Sequence, residues 1–349
     1  MDGSLIPVFD GHNDMLLRLA AGGTFLEEDA AGHLDLPRAR RGGLAGGFCA
    51  VFVRSEGYDS STLNSPESQV GEQRFPPTPS LPTASAAALA GMARLFRLER
   101  AAAGSVRIVH TAREIEDCIE AGVFAALLHL EGAEAIDPDL DTLEVFHRAG
   151  LRSLGPVWSR PNAFGNGVPF RFPHSPDTGP GLSDAGRRLV RECNRLGILV
   201  DLSHLTEQGF WDVAEVSDAP LVATHSNAHA LSQSTRNLTD RQLDAIRESD
   251  GMVGINFCVA FLREDGAPEG DTPLDAIVRH VEYLSERIGI DRVGFGSDFD
   301  GAIIPGEVGD ASGLPKIIDE LRRHGYSEPD IRKIGYQNWI RVLRATWGE

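Results

Sequence analysis

The chain is poor in cysteine and in positive charge, and it lacks any long apolar run. Its four cysteines, at 49, 118, 193 and 258, stand far apart and form no Cys-x-x-Cys pair, so free thiols in a reducing compartment are expected rather than a disulfide framework. Lys and Arg number 33 against 51 Asp and Glu, a formal charge of −18. Phosphate binding needs a basic surface, so nucleic acid is not an expected partner. The acid is spread along the chain, as on a solvated surface. No segment approaches a membrane span. Met1-Asp2-Gly3 leads straight into the first apolar segment, and LRATWGE at the other end carries no hydrophobic tail. The expectation is a cytoplasmic protein with no membrane partner. No Gly-x-Gly-x-x-Gly follows the first apolar run, which counts against a dinucleotide fold.

What is present is rhythm. The 349 residues, 42% hydrophobic and 24% charged, are ample for a large α/β unit. Eight short apolar runs fall near 5–10, 46–53, 123–130, 151–158, 197–203, 219–224, 251–257 and 292–297. Between most of them lie helical patterns, at 86–103, 115–121, 142–149, 182–196, 238–248 and 273–288. Thr206 and Ser183 read as helix N-caps, and Gly122, Gly150, Gly197 and Gly289 fall where helices should end. Strands alternating with helices imply a parallel sheet, and eight such units favour a closed (β/α)8 TIM barrel. One domain over 1–349 is expected. Two Ser/Pro/Gly-rich segments, 55–84 and 160–181, break the rhythm. A long loop after a barrel strand lies at the active-site face, so 55–84 is either a lid or subunit contact, or a solvated loop of no function.

The first run stops at Asp10-Gly11-His12-Asn13-Asp14. Residues i and i+2 of a strand share a face, so His12 and Asp14 aim an imidazole and a carboxylate at one point, as a divalent metal requires. In a (β/α)8 barrel the reacting groups sit at the C-terminal strand ends. Those ends supply His12 and Asp14, Glu131, His204, His225 and Asp298. His129 shares the face of Glu131 and competes with it, but it sits deeper in the strand, where barrel interior is expected. Asp300 shares a face with Asp298, and spacing does not separate the two. Six such groups exceed the needs of one tetrahedral zinc. Two ions about 3.5–4 Å apart would use five ligands, with Glu131 as the natural bridge and Asp298 free for proton transfer.

At these residues the chain resembles the renal (membrane) dipeptidase family of zinc peptidases, a metal-dependent hydrolase branch of the amidohydrolase-like barrels. The matching pieces are DGHND at 10–14, LEG at 130–132, DLSH at 201–204, THSNA at 224–228, TRN at 235–237 and GSDFDG at 296–301. The resemblance implies two Zn2+ per subunit, one held by His12, Asp14 and Glu131 and the other by Glu131, His204 and His225. It implies Asp298 as the proton-transfer residue, Arg236 as the receptor of the substrate's terminal carboxylate, and a homodimer. The substrate would be a dipeptide, with a D-residue tolerated at its C-terminal position, attacked by a hydroxide bridging the metals. There is one departure. The family commonly ends its fourth strand in a histidine that contacts the substrate, and here Trp158 holds that station. An indole N–H donates one hydrogen bond and accepts none. Trp158 therefore either helps to hold an oxyanion or only walls the pocket, with Arg160 or Asn162 as substitutes from the loop. Hydrolysis of another small amide or of an N-acyl amino acid is the alternative reading, and a metal-stabilised binding protein the remote one.

Overall fold

The computed structural model describes residues 5–56 and 75–349. Among the described residues nine strands are formed: β1 Val8–Asn13, β2 Leu44–Phe52, β3 Val106–Ile108, β4 Phe124–Glu131, β5 Ser153–Gly155, β6 Leu199–Val200, β7 Val222–Ala223, β8 Met252–Ile255 and β9 Val293–Phe295. All pairings between them are parallel. The order β1-β2-β4-β5-β6 forms one sheet and β7-β8-β9 another. Single parallel bridges, Asp201 to Val222 and Asn13 to Phe299, join the two at both seams. The result is a closed (β/α)8 barrel whose eight staves coincide with the eight apolar runs.

The ninth strand was not expected. β3 pairs with Phe124–Ala126 of β4, while β5 pairs further along with His129–Glu131. β2 occupies the other edge of β4, so β3 is a short insert filling the edge that β5 leaves open. At three residues, and with Arg107 exposed between Val106 and Ile108, it is too brief for hydrophobic periodicity to register.

Local chemistry explains the crossovers. Thr206 and Ser183 accept hydrogen bonds from Gly209 N and Gly186 N, at 3.0 and 3.1 Å, the N-cap bonds that their positions anticipate. Gly122, Gly150, Gly197 and Gly289 all have positive φ at helix ends, a conformation that costs a side chain but not glycine. The expected helix at 86–103 runs over Leu81–Ala101, and that at 115–121 over Ala112–Ala121. The helices Asp141–Arg148, Asp184–Leu196, Asp240–Glu248 and Asp275–Ile288 follow their patterns within two residues.

The barrel interior is a packed core. Phe9, Phe48, Leu127, Leu199, Val222 and Met252 cluster around Trp339 of the helix Asn338–Trp347. Trp339 is fully buried and its Nε1 donates to Phe295 O at 3.0 Å. Room for the indole comes from glycine: a Cβ on Gly11 or Gly254 would fall 2.4 or 2.9 Å from Trp339 Cζ2. With the bottom filled by Trp339, open space remains at the C-terminal strand ends. Among the described residues no helix is long and apolar enough to cross a membrane. All four cysteines are free and buried. Most of the 55–84 segment, residues 57–74, lies outside the described residues.

Candidate metal centre

Each barrel strand delivers its polar residue to the mouth. His12 is in β1 with Asp14 just past it, and Glu131 ends β4. His204 and His225 follow β6 and β7 by a few residues, and Asp298 follows β9. His12, Asp14, Glu131, His204 and His225 are all buried. Glu131 is central: its Oε1 lies 3.0 Å from His204 Nε2, 3.8 Å from His225 Nε2 and 3.7 Å from His12 Nε2. His12 Nε2 is in turn 3.6 Å from Asp14 Oδ2. Ligand atoms of Glu131, His204 and His225 fall within 4.8 Å of one another, as do those of His12, Asp14 and Asp298.

The protein alone leaves this cluster unsatisfied. Both ring nitrogens of His12 and Oδ1 of Asp14 are buried without a hydrogen-bond partner. Buried polar atoms in that state cost about 1–3 kcal/mol each. His204 and His225 point their Nε2 atoms at each other across 3.0 Å. Their other nitrogens are engaged: His204 Nδ1 meets Ser159 Oγ and His225 Nδ1 meets Thr224 Oγ1, each at 2.8 Å. The Thr224 hydroxyl already donates to Asp201 Oδ2 at 2.6 Å, so it accepts from His225 Nδ1–H and leaves Nε2 as a lone pair. Burial, reinforced by Arg236 and His12 nearby, holds both imidazoles well below the ordinary histidine range, hence neutral. Two imidazole Nε2 atoms facing each other beside a carboxylate suit a divalent cation, and the donor set of imidazole and carboxylate suits zinc.

His12 behaves differently. Burial alone would push it down, but Glu131, Asp14 and Asp298 override this and raise it to about 10. Those carboxylates call for positive charge, and a metal can supply it in place of the proton. Burial pushes Glu131 and Asp298 up from the usual carboxylate range. Asp298 Oδ2 accepts from Asn256 Nδ2 at 2.9 Å.

The backbone at the mouth is strained. His204, Asp298 and Asp300 have φ of 70°, 61° and 67°, left-handed values uncommon for residues other than glycine and typical of functional sites. Gly301 permits close approach there, since a Cβ would sit 2.1 Å from Asp14 Oδ2 and 2.4 Å from Asp298 Oδ1. Asp14, Glu131, Trp158, His204, Arg236 and Asp298 line one pocket. Arg236 is buried, donates to His225 O at 3.1 Å, and holds its guanidinium 5.5 Å from the Phe261 ring. Its Nε has no partner.

His129 lies in the barrel interior, its Nδ1 2.9 Å from Ser153 Oγ, and burial lowers it to about 3. Asp300 also lines the pocket, but its Oδ1 accepts from the His33 N–H across the loop. Trp158 is 6% exposed, with its ring 4.9 Å from Phe52 and 5.9 Å from His204. Arg160 and Asn162 do not substitute for the missing histidine. Arg160 points away from the pocket into a buried pair with Glu134 at 2.7 Å. Asn162 is spent on Pro156 O, Phe164 N and Gly165 N.

Sequence reasoning overlooked Ser159, Thr224, Asp201, Asn256 and Asp10. Asp10 accepts from Ser297 N and Oγ at 2.6 and 2.7 Å, clamping β1 to the segment after β9. Asp201 accepts from Ser203 N, Thr224 N and Thr224 Oγ1, so its oxygens are committed although it stands near His12 and His225. For Asp10, Asp201 and Thr224 the only hint was their place inside DGHND, DLSH and THSNA, and Ser159 and Asn256 lie outside every such motif.

A family model described as membrane dipeptidase (peptidase family M19) matches residues 4–347. The crystal structure of a metallo peptidase from Rhodobacter sphaeroides, liganded with a phosphinate mimic of the dipeptide L-Ala-D-Ala, superposes with a TM-score of 0.95 at 53% identity, covering 99% of this chain and 100% of that one. An uncharacterized protein in the pqqA 5′ region of Klebsiella pneumoniae is 50% identical over 73% of this chain and 94% of its own length. Dipeptidase tcpJ of Claviceps purpurea is 31% identical over 96% of this chain and 76% of its own.

Proposed function

The chain belongs to the membrane dipeptidase family, and from that premise we propose that it hydrolyses the peptide bond of dipeptides at a two-zinc centre, tolerating a D-residue at the C-terminal position. The observation that carries this reading is the convergence of His12, Asp14, His204 and His225 on Glu131, with orphaned nitrogens and oxygens turned inward. His12, Asp14 and Glu131 would hold one ion, and Glu131, His204 and His225 the other. Bound there, zinc would lower the pKa of an intervening water and polarise the scissile carbonyl.

The chain's own groups do the rest. Arg236 fixes the substrate's terminal carboxylate through a fork that matches two oxygens. Arg236 is buried beside Phe261, and a carboxylate held there would disfavour peptides extended beyond that end. Asp298 takes the nucleophile's proton and delivers it to the leaving amine, base first and acid second. Its raised affinity for a proton suits the second half of that task, and the Asn256 hydrogen bond holds its carboxylate toward the pocket. Trp158 walls the pocket against His204. The resemblance to a peptidase solved with an L-Ala-D-Ala mimic supports the stereochemical reading.

The test is a zinc-loaded sample assayed against L-X-D-Y and L-X-L-Y dipeptides beside N-acyl amino acids, with Asp298→Asn as a control. Dipeptide turnover is expected, reduced about 10²–10⁴-fold in Asp298→Asn. Turnover of N-acyl amino acids alone would move the substrate to another amide, and full activity in Asp298→Asn would remove the proton shuttle.

A further inference from the structure

Behind the pocket wall lies a cation that the chemistry above does not use. Arg160 is fully buried. Its Nε donates to Glu134 Oε1 at 2.7 Å, one terminal nitrogen to Ser55 Oγ at 2.9 Å and the other to Val53 O at 2.7 Å. Its Cζ lies 5.2 Å from the centroids of both the Phe52 and Trp158 rings, within cation–π range. One guanidinium thus ties together the segments following β2, β4 and β5. Ser55 is further bonded to Pro77 O at 2.6 Å and Thr78 to Pro161 O at 2.7 Å, which adds residues 77 and 78 to the tie.

A buried ion pair is an expensive way to fill space, because apolar side chains of similar volume do so without the desolvation cost. What it adds is direction. A five-donor planar fork fixes three loops and two ring faces at once. Phe52 and Trp158 both line the pocket, whereas Arg160 itself does not.

The barrel order gives that wall an address. Counting around β1-β2-β4-β5-β6-β7-β8-β9, β2 is four staves from β7 in either direction, hence diametrically opposite. Arg236 follows β7, and Phe52 ends β2. If Arg236 holds the C-terminal carboxylate, as the dipeptidase reading has it, the opposite wall faces the residue on the other side of the scissile bond. We propose that Arg160 is a positioning residue which locks Phe52 and Trp158 into the subsite for the side chain of the dipeptide's N-terminal residue, and that this subsite selects an apolar side chain.

The test compares kcat/KM for L-Leu-D-Ala and Gly-D-Ala. The zinc-loaded wild type should favour the leucyl substrate at least about tenfold, the range that apolar side-chain burial gives in a hydrophobic pocket. Arg160→Met with Glu134→Gln, which avoids stranding a buried carboxylate, should bring the ratio below about threefold through a higher KM for L-Leu-D-Ala, with zinc content retained. A merely structural role would lower both substrates in parallel and leave the ratio intact, which would overturn the proposal. Trp158→Ala keeps the buried pair and should lower the same ratio. An unchanged ratio there refutes the subsite even if the double variant fails to fold. Hydrolysis of neither substrate, nor of any other dipeptide, would instead strike down the dipeptidase reading, and this inference with it.

Discussion

His204 and His225 each commit one ring nitrogen to a neighbouring hydroxyl and turn the other into the cluster. The hydroxyls of Ser159 and Thr224 therefore choose the tautomer, and with it the lone pair offered to a metal. Ser159→Ala should weaken zinc binding about 10–100-fold, read by competition with a chromophoric chelator, and Thr224→Val should do the same from the other side. An affinity equal to wild type would mean that the tautomers are set elsewhere. The ligands themselves could be read from residue type and strand-end position. Ser159 and Thr224 could not, because a hydroxyl acquires this role only when a fold brings it within 2.8 Å of the right nitrogen. Ser159 and His204 are 45 residues apart. Trp158 holds its expected station, whereas Arg160, one of the two loop residues expected to stand in for the missing histidine, turns to Glu134 instead. A sequence gives the chain position of a long side chain and not the way it turns.

Helices and strands followed their periodicity closely where the segments were long. β3 escaped notice because three residues cannot display an alternation. The helices Met15–Ala20 and Leu36–Gly42 are likewise brief and sit inside what reads as loop. The helix Asp275–Ile288 carries a further titratable contact. Its His280 is buried, with Nδ1 accepting from Ala228 N at 3.1 Å and Nε2 donating to Leu262 O at 3.1 Å. Burial lowers this histidine to about 4, against about 6.5 in an unfolded chain. The unfolded state then binds the extra proton between those values, so the group's contribution is fully present above pH 6.5 and is lost as pH falls toward 4. That amounts to about 3 kcal/mol across the window. His280→Asn, which keeps an acceptor near the Nδ1 position, should flatten the stability profile between pH 4 and 6.5 in denaturant titrations. A variant with the wild-type slope would show that another group dominates acid sensitivity.

The barrel as a whole is closed by single bridges at two seams, Asp201 to Val222 and Asn13 to Phe299. Both seams run beside the cluster, and Asp10 and Asp201 reinforce them with buried carboxylate hydrogen bonds. Five potential ligands from four strand ends then depend on closure, and a bound metal should in return hold the barrel shut. Zinc at a thousandfold excess over its dissociation constant should add about 4 kcal/mol of stability, seen as a higher midpoint in thermal or denaturant unfolding than with a chelator present. Equal midpoints would indicate that the cluster does not bind metal in the native state. The strand-end address of His12, Asp14, Glu131, His204, His225 and Asp298 was legible from the chain, because alternation within a strand and the order of strands and helices are local properties. Which nitrogen faces the centre, which carboxylates are already committed, and that Arg160 braces the wall from behind were settled by folding. Those features depend on hydrogen bonds between segments as far apart as Asp10 and Ser297, separated by 287 residues, and no local pattern encodes a partner at that range.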